Sequence, residues 1–371
     1  MAELTHRSRR VPLPRPWGPD VTHVHVVATR VTSSAGVGHG FSWTPRAGAG
    51  AIAGMLDEFG AALAEPLDPA PVWDRLWADA HEAGGGGVTT MALAGVDIAL
   101  WDLRGRTEGR SLVDLLGRRH TAVPVYGSGV NLHYPVADLV AQARRMVAAG
   151  YAGVKIKVGL PDLASDIARV AAVRSAIGED VALMIDANQR WDLPTALRAV
   201  SALAEFRPYW LEEPLRADDL RAHAELRRRC PFPIALGENL HTAYQFREAI
   251  LLGACDIIQP NVVRVGGITP FLRIAELARA LGVGVAPHLL PDLSGQLALT
   301  LPGPVWVEEV EDASFAALDV LSAPSGVEVK EGRLAADTGP GHGLRFHWLD
   351  SDTRTPVPSA ASSPPLLADH P

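Results

Sequence analysis

Ile185-Asp186-Ala187-Asn188, Trp210-Leu211-Glu212-Glu213-Pro214 and Leu236-Gly237-Glu238-Asn239 punctuate residues 184–239. Each phrase ends an apolar run on an acid. Asp186 to Glu212 and Glu212 to Glu238 are both 26 residues. A strand, a loop, a helix and a second loop take roughly that length, so the acids read as the C-terminal ends of three successive barrel strands. One acid at a strand end is ordinarily a solvated loop residue. Three in step converge on one mouth and repel each other unless a hard divalent cation neutralises them. An oxygen-only donor set points to Mg²⁺ rather than zinc.

The rest of the chain has room for this barrel and a smaller partner domain, at 371 residues. Its 47% hydrophobic and 20% charged residues are those of a soluble globular protein. A formal net charge of −8 argues against nucleic acid as the main ligand. Cys230 and Cys255 offer neither a zinc-ligand spacing nor a disulfide framework. No apolar run is long enough to span a membrane, and the basic, proline-rich start lacks the apolar core of a signal peptide. The expectation is a cytoplasmic protein.

Residues 1–20 read as an extended arm. Alternation from His23 to Val31 marks a strand, and Gly36-Val37-Gly38-His39-Gly40-Phe41 a turn and return strand. Helices follow near 51–63 and 71–81, the second with Trp73, Leu76 and Trp77 on one face. The run Gly84-Gly85-Gly86-Gly87 reads as a mobile joint before a helix of small apolar residues over 89–103. Residues 21–122 thus form an α+β unit. From Val123 the rhythm becomes β then α, with strands expected at 125–130, 154–158, 182–186, 209–212, 234–238, 256–261, 284–288 and 305–308. A hairpin is expected within 326–334. Residues 351–371, rich in Pro, Ser, Ala and Asp, read as a disordered tail.

Lys155 and Lys157 stand two apart on a strand and share a face. Alone they suit an exposed edge. One unit before Asp186, they belong to the barrel mouth. There, neighbouring cations and partial desolvation are expected to lower a lysine pKa and make it a base. His288 ends the seventh strand and Asn261 the sixth, where Asn261 can orient the histidine ring. Alternation lets Glu308 or Glu309 face inward, but not both.

Lys155-x-Lys157, Asp186-Ala187-Asn188, Glu212-Glu213-Pro214, Gly237-Glu238-Asn239, the Gly266-Gly267-Ile268-Thr269 turn and His288 together resemble the mandelate racemase subgroup of the enolase superfamily. The likeness covers roughly residues 20–345, and Trp101-Asp102 resembles the closing helix of that family's capping domain. The resemblance implies an α/β fold, a modified (β/α)7β TIM barrel under an α+β cap. The barrel would span 123–315, and residues 316–350 would return to the cap. It implies Mg²⁺ on Asp186, Glu212 and Glu238, and a small-molecule carboxylate substrate that loses its α-proton to give an enediolate. Lys157 matches the base on one face and Lys155 a helper cation. His288 matches the acid or base opposite, and Glu308 the acid that bonds the carboxylate. Asn188 and Glu213, beside the metal acids, and His39 and Trp43, in the cap, are candidate substrate contacts. A homo-oligomer is expected.

Asn261 departs from the family pattern, which places an aspartate there. Asparagine holds the ring but cannot stabilise imidazolium by charge. That disfavours a two-base racemase. It leaves a dehydratase of an aldonic or aldaric acid, in which a lysine takes the α-proton and His288 helps the β-hydroxide leave. The alternatives are racemisation or epimerisation at the α-carbon, and a catalytically inactive barrel used for binding.

Overall fold

Three antiparallel strands open the chain in the computed structural model, which describes residues 2–349: β1 (Glu3–Pro12), β2 (His23–Ser33) and β3 (Gly36–Thr44), in that order. Glu3 pairs with Thr32 and Pro12 with His23, so the stretch read as an arm is the first strand of the cap. Its arginines hid it, because charge is what an exposed edge strand carries. Helices α1 (Ala49–Ala62), α2 (Pro69–Ala80), α3 (Val88–Thr107) and α4 (Leu112–Leu116) follow. The sheet meets α3 backbone to backbone, since a Cβ on Gly40 would lie 2.3 Å from the Gly95 carbonyl oxygen.

The barrel runs β4 (Val123–Ser128), α5 (Val136–Ala148), β5 (Gly153–Lys157), α6 (Leu163–Ile177), β6 (Ala182–Asp186), α7 (Leu193–Leu203), β7 (Trp210–Glu212) and α8 (Leu220–Arg227). It continues through β8 (Ile234–Leu236), α9 (Ala243–Leu251), β9 (Ile257–Ile258), α10 (Ile268–Ala280), β10 (Gly284–Val285), α11 (Pro291–Ala298) and β11 (Val307–Val310). The parallel ladder passes from β10 in order to β4, and β11 pairs with β4. Eight strands separated by seven helices give the (β/α)7β barrel. Residues 259–261 and 286–288, read as strand, lie beyond the paired stretches of β9 and β10.

Local chemistry sets the helix starts. Asp162 accepts from the backbone of Ala164 and Ser165 at the start of α6, and Thr242 with Gln245 forms a capping box on α9. The hairpin β12 (Val327–Lys330) and β13 (Arg333–Ala336) joins the barrel first, with Arg333 opposite Pro124 of β4. The chain then returns to the cap, where the His342 ring bonds the His39 carbonyl at 2.7 Å. The expected tail, 351–371, lies outside the described residues.

Cap and barrel meet at Asp97 of α3, which accepts from the Thr269 backbone at 2.9 Å and its hydroxyl at 2.6 Å. Gly267 permits this approach: its φ is +111°, and a Cβ there would lie 2.4 Å from an Asp97 oxygen.

Candidate active site

Alternation turns Lys155 and Lys157 inward from β5. Register then sets Lys157 beside Asp186, and Asp186 beside Glu212. Beneath this charged layer Tyr126, Met184, Trp210, Ala235 and Ala286 pack as an apolar floor. Lys155 is 1% exposed. Its Nζ lies 2.9 Å from both Glu212 oxygens, 2.7 Å from Glu308 Oε1 and 3.6 Å from Asp186 Oδ2. Lys157 donates to Asp186 Oδ2, while Asp186 Oδ1 accepts the Asn188 backbone N–H at 2.8 Å.

Burial works against charge on both lysines, but Glu212 and Glu308 around Lys155, and Asp186 beside Lys157, outweigh it. Both ammonium groups are held above the ordinary lysine range. Each lysine here neighbours more carboxylates than cations, so attraction exceeds desolvation; the expected lowering needs a further cation on those carboxylates, which would oppose the ammonium charge.

The opposite wall is His288. Its Nε2 lies 2.5 Å from Glu238 Oε2 and 3.7 Å from Glu308 Oε2. Asn261 Oδ1 accepts the backbone N–H groups of Val263 and Arg264 at 3.0 and 3.2 Å. Its amide nitrogen therefore faces His288 Nδ1, at 2.9 Å. An amide N–H donates, so this network assigns Nδ1 as an acceptor and puts the ring proton on Nε2. The histidine presents an N–H to the mouth rather than a lone pair.

Of the two acids on β11, Glu308 faces inward, and its Oε2 also accepts the Leu289 backbone N–H at 3.0 Å. Glu309 faces away and is bonded by Tyr151. Glu213 is fully buried; Asn239 donates to its Oε2 at 2.7 Å, and its Oε1 has no partner among the described residues. Burial, then Glu238, push its carboxyl well up.

The two cap candidates part company. Trp43 packs edge-on to Trp17 at 5.9 Å and, with Leu289 and Leu290 just past His288, borders a cavity of about 20 Å³. Its indole N–H is buried without a partner among the described residues. His39 instead sits with its backbone N–H 2.9 Å and its ring Nδ1 3.5 Å from Asp102, in the joint between α3 and the C-terminal segment. Strand rise explains the difference: four residues of β3 span about 13 Å, so only the Trp43 end reaches the mouth.

Sequence reading missed several polar neighbours. Gln259 donates to Glu212 Oε2 at 2.7 Å; it stands two residues before Asn261, and alternation alone would have found it. Asn131 accepts the Lys157 backbone N–H at 2.9 Å. Arg264 donates to the Glu238 carbonyl at 2.8 Å and to Asn239 at 2.6 Å. Neither of these had a periodic signal, because both lie in loops. A cavity of about 870 Å³ beside Trp77, His81, His241 and Tyr244 is lined by none of the lysines or metal-type acids.

Donor atoms of Glu212, Glu238 and His288 lie within 4.8 Å of one another. Asp186 adjoins Glu212 by register. The histidine joins that group because its ring reaches Glu238, but a hard cation takes oxygen in preference. Buried carboxylates at or just past three successive strand ends fit a hard cation such as Mg²⁺, and Asp186, Glu212 and Glu238 could hold it.

Comparison with known proteins agrees with the fold. Residues 5–117 match the mandelate racemase/muconate lactonizing enzyme N-terminal domain, and residues 138–350 the enolase C-terminal domain-like family. A 3,6-anhydro-alpha-L-galactonate cycloisomerase of Streptomyces coelicolor is 37% identical over 90% of this chain and 94% of its own. An L-talarate/galactarate dehydratase of Salmonella typhimurium is 38% identical over 78% of this chain and 74% of its own. The crystal structure of L-talarate dehydratase from Polaromonas sp. JS666, complexed with Mg and L-glucarate, superposes with a TM-score of 0.84 at 38% identity, covering 93% of this chain and 95% of that one. The chain belongs to the mandelate racemase/muconate lactonizing enzyme family of the enolase superfamily.

Proposed function

We propose that this protein is a Mg²⁺-dependent dehydratase of an aldonic or aldaric acid. The observation that carries the reading is the asymmetry of the mouth: two lysines on one wall, and a histidine whose proton is fixed on Nε2 on the other. Asp186, Glu212 and Glu238 would hold the ion, which supplies the positive charge that now comes from the lysines and offsets negative charge developing on the substrate carboxylate. Lys157, as the free amine, takes the α-proton. Lys155, locked between Glu212 and Glu308, stays charged beside the carboxylate. Glu308 bonds that carboxylate, and Asn188, Glu213 and Trp43 line the approach. His288 donates its Nε2 hydrogen bond to the β-oxygen, which departs with the C–O electron pair. A ring that already carries its proton on Nε2 cannot collect the α-proton from the other face, so a two-base racemase is disfavoured.

A second reading has one observation in its favour, the cycloisomerase similar along nearly its whole length. There the β-oxygen is part of a ring: it leaves the carbon but stays tethered, and the sum formula is unchanged. A panel of acid sugars and their anhydro forms, assayed for 2-keto-acid product, separates the two. Keto acid from an open-chain acid sugar supports dehydration, and keto acid from the anhydro form alone supports cycloisomerisation. Exchange of the α-proton without keto acid indicates a racemase or epimerase, and neither signal indicates a binding protein.

No helix among the described residues is long and apolar enough to cross a membrane. Free Cys230 and Cys255 suit a reducing cytoplasm, and the exposed Tyr244 and Leu251 on α9 offer a face for a homo-oligomer.

A further inference from the structure

Lys157 has an unusual support on one side. The β4–β5 ladder stops at Ser128 opposite Lys155, two residues short of Lys157. On the β6 side Lys157 still pairs with Asp186. On the β4 side its backbone N–H is taken over by a side chain, Asn131 Oδ1, at 2.9 Å. Asn131 is 1% exposed, and its amide donates to Gln142 Oε1 at 2.8 Å. Gln142, on α5 and 2% exposed, donates to Glu311 Oε2 at 2.8 Å. Arg169 of α6 secures the same loop by donating to the Asn131 and Tyr134 carbonyls at 2.9 and 2.7 Å.

Glu311 then meets the cap. Arg15 lies in residues 13–22, the connection between β1 and β2. Its Nε is 3.2 Å from Glu311 and 2.6 Å from Asp312. Trp17, two residues on, packs with Trp43, Leu289 and Leu290 above the mouth. The connection that roofs the site and the amide of the proposed base are thus joined by a continuous chain of side-chain contacts. Asn131 and Gln142 are buried amides with one partner on each side, so neither can turn without leaving a buried polar atom unpaired, and Glu311, where Gln142 and Arg15 meet, is also held by Arg145 at 3.0 and 3.2 Å.

We propose that Asn131 and Gln142 are positioning residues for Lys157, and that Arg15 couples the cap connection to them through Glu311. Docking of the roof and placement of the base are then one event rather than two. The inference rests on Lys157 as the base, but the first measurement does not depend on catalysis.

That measurement is hydrogen exchange at the Lys157 backbone amide, in the full-length protein, for Arg15→Gln and Gln142→Leu. Arg15 is 40% exposed, so its replacement leaves the core intact. Both variants should speed exchange at Lys157 about five-fold, the loss of one modest hydrogen bond, while the Ile185 amide on β6 keeps its wild-type rate. Wild-type exchange at Lys157 in both variants overturns the coupling, as does equal acceleration at Lys157 and Ile185. Acceleration in Gln142→Leu alone removes Arg15 from it. With a turned-over acid sugar in hand, a double-mutant cycle of Arg15→Gln and Asn131→Ala in kcat should be non-additive, with KM accounting for less of the loss than kcat. Additive effects, or a loss confined to KM, contradict the coupling. If no acid sugar reacts, the functional reading fails, and the exchange result still decides the coupling.

Discussion

At the scale of single residues, Asn261 decides most. Its oxygen is committed to two backbone N–H groups, so its nitrogen must face His288, and the ring must accept. Asn261→Asp reverses that contact, because a carboxylate can only accept from Nδ1–H. Nε2 then becomes free to take a proton. The variant should show a changed ring ¹⁵N signature and α-deuterium incorporation from a second face of the substrate carbon. An unchanged ring spectrum and stereochemistry would contradict the tautomer. Gln259 acts on Glu212 in the same indirect way. Gln259→Leu should weaken Mg²⁺ binding about 10–100-fold, measured by calorimetry, because a metal carboxylate loses the bond that aims it. Unaltered affinity would show that Lys155 suffices. Asparagine in place of the family's aspartate was visible in the sequence. Which way its amide points was not, because that depends on the backbone of residues 263 and 264.

Among elements, the period-2 rule proved the most informative part of the sequence. It set Lys155 and Lys157 on one face and allowed only one of Glu308 and Glu309 inward, and the structure has both features. Of the evenly spaced acids, the register pairs Asp186 at the end of β6 with Glu212 at the end of β7, while Glu238 lies two residues past β8. The same rule failed for His39. His39, Phe41 and Trp43 share a face of β3, but a strand is long compared with a barrel mouth, and alternation says nothing of which end is over it. β1 was hidden for the opposite reason, since its arginines look like loop. The loop residues Asn131 and Arg264 carry no period at all, and only the folded chain brings them, and Gln142 of α5, to the site.

At the scale of the whole molecule, cap and barrel must stay in one arrangement for the roof to cover the acids. The joint is Asp97 with Thr269, and Trp101 Nε1 donates to the same hydroxyl at 2.9 Å. Burial raises Asp97 from 3.8 to about 7, against the bonds from Thr269 and the charge of Arg273. The folded chain therefore keeps a proton that the unfolded chain loses near its ordinary value. Its contribution to stability is complete at low pH and is lost as pH rises through about 7. Asp97→Asn removes the titration. The Tm of the variant minus that of the wild type should rise between pH 5 and pH 8, and a constant difference would place the pH dependence elsewhere. Two domains and their order were legible from the change of rhythm at Val123, whereas this joint was not, because Asp97 lies inside a helix that reads as apolar. The central claim is that Lys157 removes the α-proton. Its most direct test follows α-proton exchange in D₂O with Mg²⁺ and the reactive acid sugar, in Lys157→Ala and His288→Asn. Exchange should fall by about 10²–10⁴ in Lys157→Ala and persist in His288→Asn. Wild-type exchange in Lys157→Ala, with loss in His288→Asn, would contradict the assignment and make the histidine the base.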